Sequence, residues 1–210
     1  MTRQNATRKL NLPTAMPGTA AIVLLLIGSV PAFGQSSDTL SISDTAIGAQ
    51  GRIAVNAAAG VFNEQANSAV IAEGENAFLA NVVVQTLSNN TSSGSDSQSA
   101  SISGTSFSGA QGAIAVNGAA GTENQQANLA AFGIGIGIED RVASLELLSQ
   151  TRSSQAPAGD QNAPASVAKT ADISPNAFRD ASGLVQVNLT AGERNSSANV
   201  FALTLPGSSN

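Results

Sequence analysis

A seventeen-residue pattern, G-x-[IV]-x-V-N-x-x-A-G-x-x-N-x-x-A-N, occurs three times in this chain. The copies begin at Gly51, Gly112 and Gly183, so the intervals between them are 112 − 51 = 61 and 183 − 112 = 71 residues. A unit that recurs in this way cannot bury its own apolar face alone, and it stacks on copies of itself. The sequence therefore predicts three stacked units of one structure.

The start of each copy predicts a β-strand, because its apolar residues recur at every second position. These alternating residues, which we expect to share one face and to stack, are Ile53, Val55, Ile114, Val116, Val185 and Val187. A glycine follows each strand, where a turn with a positive φ is least costly. The three turn glycines are Gly60, Gly121 and Gly192. A second strand follows each turn, so each copy is predicted to form a β-arch.

Three asparagines recur at identical offsets in every copy. A side-chain amide offers two donors and an acceptor, so identical asparagines stacked about 4.8 Å apart can form continuous hydrogen-bonded ladders. The predicted ladders are Asn56 with Asn117 and Asn188, Asn63 with Asn124 and Asn195, and Asn67 with Asn128 and Asn199. An asparagine can also be an ordinary turn residue, and this alternative is strongest for the row that contains Asn63.

The predicted fold is all-β: a β-solenoid or stacked β-arch of the cross-β type, built from three imperfect repeats with flexible linkers after an N-terminal signal peptide. Ser/Gly/Asn/Pro-rich stretches mark the linkers. The boundaries are 1–34 for the signal peptide, 35–87 for repeat 1, 88–100 for a linker, 101–149 for repeat 2, 150–166 for a linker, 167–205 for repeat 3 and 206–210 for a tail.

The signal peptide is predicted from a basic start, an apolar run at 20–27 and a small-x-small site at 32–34. The apolar run is shorter than the ~20 residues that a spanning helix needs, so we expect no membrane span in the mature form. Removal of 1–34 leaves six basic and fourteen acidic residues, a net charge of 6 − 14 = −8. This acidic balance disfavours nucleic-acid binding, because phosphate groups are repelled.

The composition disfavours an enzyme. Histidine and cysteine are absent, so the chain has no imidazole base to activate a serine and no nitrogen or sulfur ligands for zinc. The alternating run of glycine and isoleucine at 133–138 lacks the spacing of a phosphate-binding loop. We therefore predict no catalytic residues, no metal site and no cofactor.

The repeats resemble those of the Fap functional-amyloid fibrillins, the secreted biofilm-fibre subunits of Gram-negative bacteria. The likeness is carried by residues 51–60 with 63–67 and, more closely, by 112–121 with 124–128. The resemblance implies a signal peptide, three imperfect repeats and two variable linkers. It also implies passage through the periplasm and an outer-membrane export channel, and a cross-β fibre in the biofilm matrix. The major subunit of that family typically carries a C-x-x-C, which is absent here, so both a major and a minor, nucleating subunit stay open.

These observations predict a secreted structural protein whose partners are copies of itself and other fibre subunits. A stack of three units has two open ends whose unpaired backbone groups would recruit further copies. The alternative is a non-polymerising β-solenoid that acts as a surface adhesin or binding module.

Overall fold

The structure, a computed structural model, describes residues 37–74, 79–88, 97–134, 142–151 and 168–205. Within these ranges the chain forms eleven β-strands and no helix. The strands are β1 Ser37–Ser43, β2 Gln50–Ala59, β3 Glu64–Glu73, β4 Leu79–Ser88, β5 Ser97–Ser103, β6 Gln111–Thr122, β7 Gln125–Ile134, β8 Val142–Thr151, β9 Ala168–Ile173, β10 Ser182–Glu193 and β11 Ser196–Leu205. The predicted signal peptide (1–34) and tail (206–210) lie outside the described residues.

The strands fall into three successive rungs, one for each sequence repeat. Rung 1 contains β1 to β4, rung 2 contains β5 to β8, and rung 3 contains β9 to β11. Each strand pairs in parallel with its equivalent in the next rung, which gives four sheets. The first sheet has the order β1-β5-β9, the second β2-β6-β10, the third β3-β7-β11 and the fourth β4-β8. Rung 2 therefore lies between the other two rungs.

The register aligns equivalent residues of the sequence repeats. In the second sheet Val116 pairs with Val55 on one side and with Val187 on the other. We call such a set of equivalent residues, one from each rung, a row. Identical residues in a row place the same side chain above itself at the spacing of neighbouring strands, about 4.8 Å. The predicted all-β fold is confirmed, and its sheets are parallel and stacked.

The main apolar layer lies between the first and second sheets. Ile42 and Ile102 extend from the first sheet towards Ile53 and Ile114 of the second, and all four are at most 2% exposed. The alternation of strand side chains explains this layer, because every second residue of β5 is buried and the serines between are half-buried. Full burial of each such side chain contributes about 1.5–3 kcal/mol.

Strand β5 begins at Ser97, so residues 97–100 form part of a strand although their composition predicts a linker. Serine and glutamine dominate this stretch, which conceals the alternation of buried Gln98 and Ala100. Parallel pairing with β1 and β9 on both sides supplies the backbone hydrogen bonds that stabilise it. The remaining residues of both predicted linkers lie largely outside the described ranges.

Candidate functional site

Amide side chains cross the space between the second and third sheets. Besides the asparagines, Gln65 donates to the carbonyl oxygen of Ala57 and Gln126 to that of Gly118, each at 2.9 Å. Two of the predicted rows face each other here: the row of Asn56, Asn117 and Asn188 lies on the second sheet, and the row of Asn67, Asn128 and Asn199 lies on the third. Asn117 and Asn128, in the middle rung, are both 0% exposed. Burial of an amide is unfavourable unless its hydrogen bonds are made within the protein.

Hydrogen bonds run along each of these two rows. Asn117 Nδ2 donates to Asn56 Oδ1 at 3.0 Å, and Asn188 Nδ2 donates to Asn117 Oδ1 at 3.0 Å. On the third sheet Asn128 Nδ2 donates to Asn67 Oδ1 at 2.9 Å, and Asn199 Nδ2 donates to Asn128 Oδ1 at 2.9 Å. The donors all point from a later rung to an earlier one, so both rows have the same polarity along the stack.

The two rows are also joined to each other in every rung. In rung 1 Asn67 Nδ2 donates to Asn56 Oδ1 at 2.8 Å. The equivalent bonds are Asn128 to Asn117 at 2.9 Å in rung 2 and Asn199 to Asn188 at 3.0 Å in rung 3. The same amides donate to backbone carbonyls, including Asn117 Nδ2 to Ala66 O at 2.9 Å. The result is one hydrogen-bonded lattice that connects three rungs and two sheets.

The third predicted row, Asn63, Asn124 and Asn195, lies at the corner between the second and third sheets. Asn124 Nδ2 donates to Asn63 Oδ1 at 2.9 Å, and Asn195 Nδ2 donates to Asn124 Oδ1 at 2.8 Å. The backbone N–H groups of Asn124 and Asn195 donate to the same two oxygens, each at 3.1 Å. These asparagines thus serve as turn residues and as members of a row at the same time.

The three predicted turn glycines lie just before this corner, with φ angles of 104°, 119° and 131°. A Cβ built on Gly60 would overlap the carbonyl oxygen of Gly121, and one built on Gly121 would overlap that of Gly192. Glycine is required twice over, since the φ is unfavourable for other residues and the next rung leaves no space for a side chain. A side chain at Gly60 or Gly121 would therefore not fit between successive rungs.

The sharpest part of the corner lies two residues beyond each glycine, at Phe62, Glu123 and Arg194. Their φ angles, 57°, 58° and 57°, are in the left-handed region, which the sequence did not indicate because three unrelated residue types occupy the position. Arg194 forms an ion pair with Glu123, which is 6% exposed. The hydrogen bond from Arg194 to the Glu123 carboxylate raises the pKa of the Arg194 guanidinium.

The predicted apolar positions are buried in rungs 1 and 2 and are less buried in rung 3. Ile53, Val55, Ile114 and Val116 are all 3% exposed or less, whereas Val187 is half-buried against the core and Val185 is 39% exposed. Rung 3 is the last rung of the stack in the described residues, so these side chains are covered from one side only.

A second row missed by sequence reasoning lies in the turn between the first and second sheets. Phe107 is 0% exposed and stacks on Phe178 with ring centroids 4.9 Å apart and nearly parallel planes. Beside it, Asp44 Oδ1 accepts the backbone N–H of Thr105 at 2.9 Å. This hydrogen bond is the main reason that the pKa of Asp44 lies below its ordinary value. The sequence does contain a signal for the phenylalanine pair, because Phe107 and Phe178 lie at the same offset before copies two and three.

The asparagine rows hydrogen-bond polar side chains to one another. In the described ranges, no group of three or more acidic, histidine or cysteine side chains could hold a metal ion. None of the described residues forms a helix that is long and apolar enough to cross a membrane. Most of the glycine and isoleucine run, 135–138, lies outside the described residues.

The family model of the functional amyloid protein FapB/FapC family matches residues 28–206, which include all three repeats. No solved structure matches the chain.

Proposed function

Because the chain belongs to the functional amyloid protein FapB/FapC family, we propose that it is a secreted subunit that self-assembles into extracellular fibres of the biofilm matrix. The membership confirms the resemblance that the repeats predicted. The family consists of structural amyloid proteins rather than enzymes. We assign the chain no cofactor and no catalytic residue.

The observation that carries the proposal is the in-register stacking of equivalent residues, with asparagines, alanines and glycines repeated at the same positions of the second and third sheets. In the described part of the chain, the first three sheets end at β1, β2 and β3 on one side and at β9, β10 and β11 on the other, while the fourth sheet ends at β4 and β8. Exposed strand edges pair readily with further strands. A copy added to either end would repeat the same register in the first three sheets, so the stack of one chain would continue as a cross-β fibre.

The asparagine rows are the proposed assembly site. Their polarity gives the two ends complementary roles, since amides of a later rung donate to oxygens of an earlier rung. When rung 1 of a second copy docks on rung 3, its Asn56 would donate to Asn188 Oδ1, and its Asn67 would donate to Asn199 Oδ1. Buried amides gain most from such continuation, because an unpaired one costs about 1–3 kcal/mol.

The turn glycines and the apolar rows have a supporting part in this proposal. The glycines keep the rungs close enough for the amides to meet, and the exposed apolar side chains of rung 3, including Val185, would be covered by the next copy. Burial of exposed apolar area favours association by about 25 cal/mol per Å².

The resemblance to the family supports a route of secretion and a role as either the major or a minor subunit of the fibre. We propose export after signal-peptide removal, through the periplasm and an outer-membrane channel of a Gram-negative bacterium. Within the fibre the chain is the major subunit or a minor, nucleating one that works with other subunits. Two variable linkers, 88–100 and 150–166, separate the repeats in this scheme.

The test is to purify residues 35–210 and incubate them at neutral pH. We expect thioflavin-positive fibres whose diffraction shows a meridional spacing of about 4.7 Å and an equatorial spacing of about 10 Å. A chain that remains a stable monomer at high concentration would contradict the proposal and would favour the non-polymerising surface adhesin. Purified chain heated in denaturant and cooled before incubation controls for aggregates carried over from expression.

A further inference from the structure

The first sheet contains a row whose members differ in charge. Asp38 of β1 pairs with Gln98 of β5, and Gln98 pairs with Lys169 of β9. The row therefore begins with a carboxylate in rung 1, continues with a neutral amide in rung 2 and ends with an ammonium group in rung 3. The rows on either side of it, Ser37 with Ser97 and Ala168 and Thr39 with Ser99 and Thr170, carry no charge.

The three side chains lie in equivalent places, against the turn glycine of their own rung. A Cβ built on Gly60 would lie 3.0 Å from Asp38 Oδ2, and one built on Gly192 would lie 3.4 Å from Lys169 Cδ. The corresponding distance in rung 2 is 3.1 Å, to Gln98 Cδ. Because all three groups occupy the same site in successive rungs, a further rung would place its own group directly above Lys169.

Rung 2 shows what this site becomes when rungs lie on both sides. Gln98 is 1% exposed, whereas Lys169, with a rung on one side, is exposed and Asp38 is half-buried. An end-to-end contact would enclose the terminal groups in the same way. A charge enclosed there is stable only when an opposite charge lies next to it.

We propose that the end of rung 3 receives rung 1 of a second copy of this chain, with Lys169 forming an ion pair with Asp38 of that copy. The proposal rests on the proposed function and adds the determinant of polarity and register at the junction. A junction between two rung 3 ends would bring ammonium groups together without their acidic partners. Head-to-tail addition in the native register is therefore favoured over that junction and over shifted registers.

The other charged residues of the end strands agree with this junction. In the strand pairs that the structure describes, Asp38 with Lys169 is the one row whose two end members are both charged. Four other charged end residues would face a neutral one across the junction: Asp172 with Ser41, Arg52 with Leu184, Glu64 with Ser196, and Glu73 with Leu205. The remaining one, Glu193, pairs with Thr122 beyond the point where the register of β2 ends at Ala59. No like charges face each other in these rows, so the junction gains an opposite pair without opposing repulsion.

Charge exchange tests the pair. We would measure seeded elongation at low salt for the wild type, for Asp38→Lys, for Lys169→Asp and for the double variant that carries both. Glu73→Lys and Arg179→Asp are the matched controls, because they change the net charge by the same amounts at exposed positions away from the row. Each single variant should elongate about 5–10-fold more slowly than its control, since it places like charges at every junction.

The double variant restores opposite charges with the order reversed, so it should elongate within about twofold of the wild type. At high salt the single variants should approach their controls, as screening shortens the range of the repulsion. A double variant as slow as the slower single variant, or single variants that match their controls, would overturn the proposed pair while leaving the fibre function intact. Failure of the wild type itself to form fibres would instead overturn the proposed function, and the pair with it.

Discussion

Replacement of Asn117 by alanine should destabilise the fibre more than any equivalent change at the surface. The Asn117 amide takes part in five hydrogen bonds: Nδ2 donates to Asn56 Oδ1, Ala66 O and Asn67 Oδ1, and Oδ1 accepts from Asn128 and Asn188. Two amide hydrogens and one oxygen with two lone pairs limit the full-strength bonds to about four. At about 1 kcal/mol each, and with some partners keeping a second bond, the loss is about 3–4 kcal/mol.

The assay is dissolution of mature fibres in guanidinium chloride, since the released chain is then unfolded and the whole cost appears in the free energy of dissolution. Asn176→Ala is the control, because Asn176 is an exposed turn residue outside the rows. The control should change the free energy of dissolution by less than about 0.5 kcal/mol. If Asn117→Ala changed it as little as Asn176→Ala does, the buried asparagine lattice would not be what stabilises the stack.

Asn56→Ala makes the same experiment sensitive to the junction between chains. In one chain Asn56 Oδ1 accepts two hydrogen bonds, from Asn67 and Asn117, because rung 1 is an end. In a fibre that continues the register, rung 1 lies between two rungs, and Asn56 would gain the bonds that Asn117 already has. Fibres should therefore be weakened about equally by the two substitutions. A cost for Asn56→Ala of only about half that for Asn117→Ala would show that the rows stop at each chain end.

Three further results are expected. Gly121→Ala should abolish fibre growth, because φ is 119° and the added Cβ would overlap the Gly192 carbonyl oxygen. Gly118→Ala should slow growth far less, because its φ is not positive and its added Cβ, 2.7 Å from Leu189 Cδ1, meets only the ends of side chains that can change rotamer. Equal growth of both variants would contradict the close approach at Gly121. The lowered pKa of Asp44 means that its contribution is complete above the ordinary carboxyl pKa, near 4, and is lost as pH falls below it. Fibres of Asp44→Asn should thus lose less stability than wild-type fibres between pH 5 and pH 2, and identical pH profiles would count against this. Deletion of 155–163 from the second predicted linker should leave seeded elongation within about twofold, since loop closure depends only weakly on length; a deletion variant that stays monomeric would assign those residues a structural part.

The all-β fold could be predicted from the sequence because strand and turn preferences are local. Alternation of Ile53 and Val55 predicts a strand, and Gly60 predicts a position with a positive φ, whatever surrounds them. Identity at equal offsets then predicts that copies align. None of these inferences needs knowledge of the path that the chain follows between the copies.

The sequence could not show that the asparagine row of the second sheet lies against that of the third sheet. Asn56 and Asn67 lie eleven residues apart, and only the corner geometry brings their amides to 2.8 Å. That corner depends on the left-handed backbone at Phe62, Glu123 and Arg194, three residue types with no shared propensity for this conformation. The next residue in each rung is an asparagine of the row Asn63, Asn124 and Asn195, and hydrogen bonds to the neighbouring rungs hold it in place. Stacking therefore favours the left-handed conformation whatever the residue type.

The strand at 97–100 was hidden for a related reason. Serine and glutamine lower the apparent strand propensity of β5, and composition alone therefore favours a linker. Pairing on both sides with β1 and β9 overrides that preference, since each backbone N–H and C=O finds a partner. Local composition is a weaker guide in a stacked repeat than the register imposed by its neighbours.

The most direct test of the account is the mass per unit length of a single filament, measured by scanning transmission electron microscopy on unstained fibres of residues 35–210. Three rungs for each chain, at about 4.8 Å per rung, predict one chain for every 14 Å or so of filament. One chain for every 4.8 Å or so would mean that each chain contributes a single layer, and it would contradict the continuation of the three-rung stack from chain to chain.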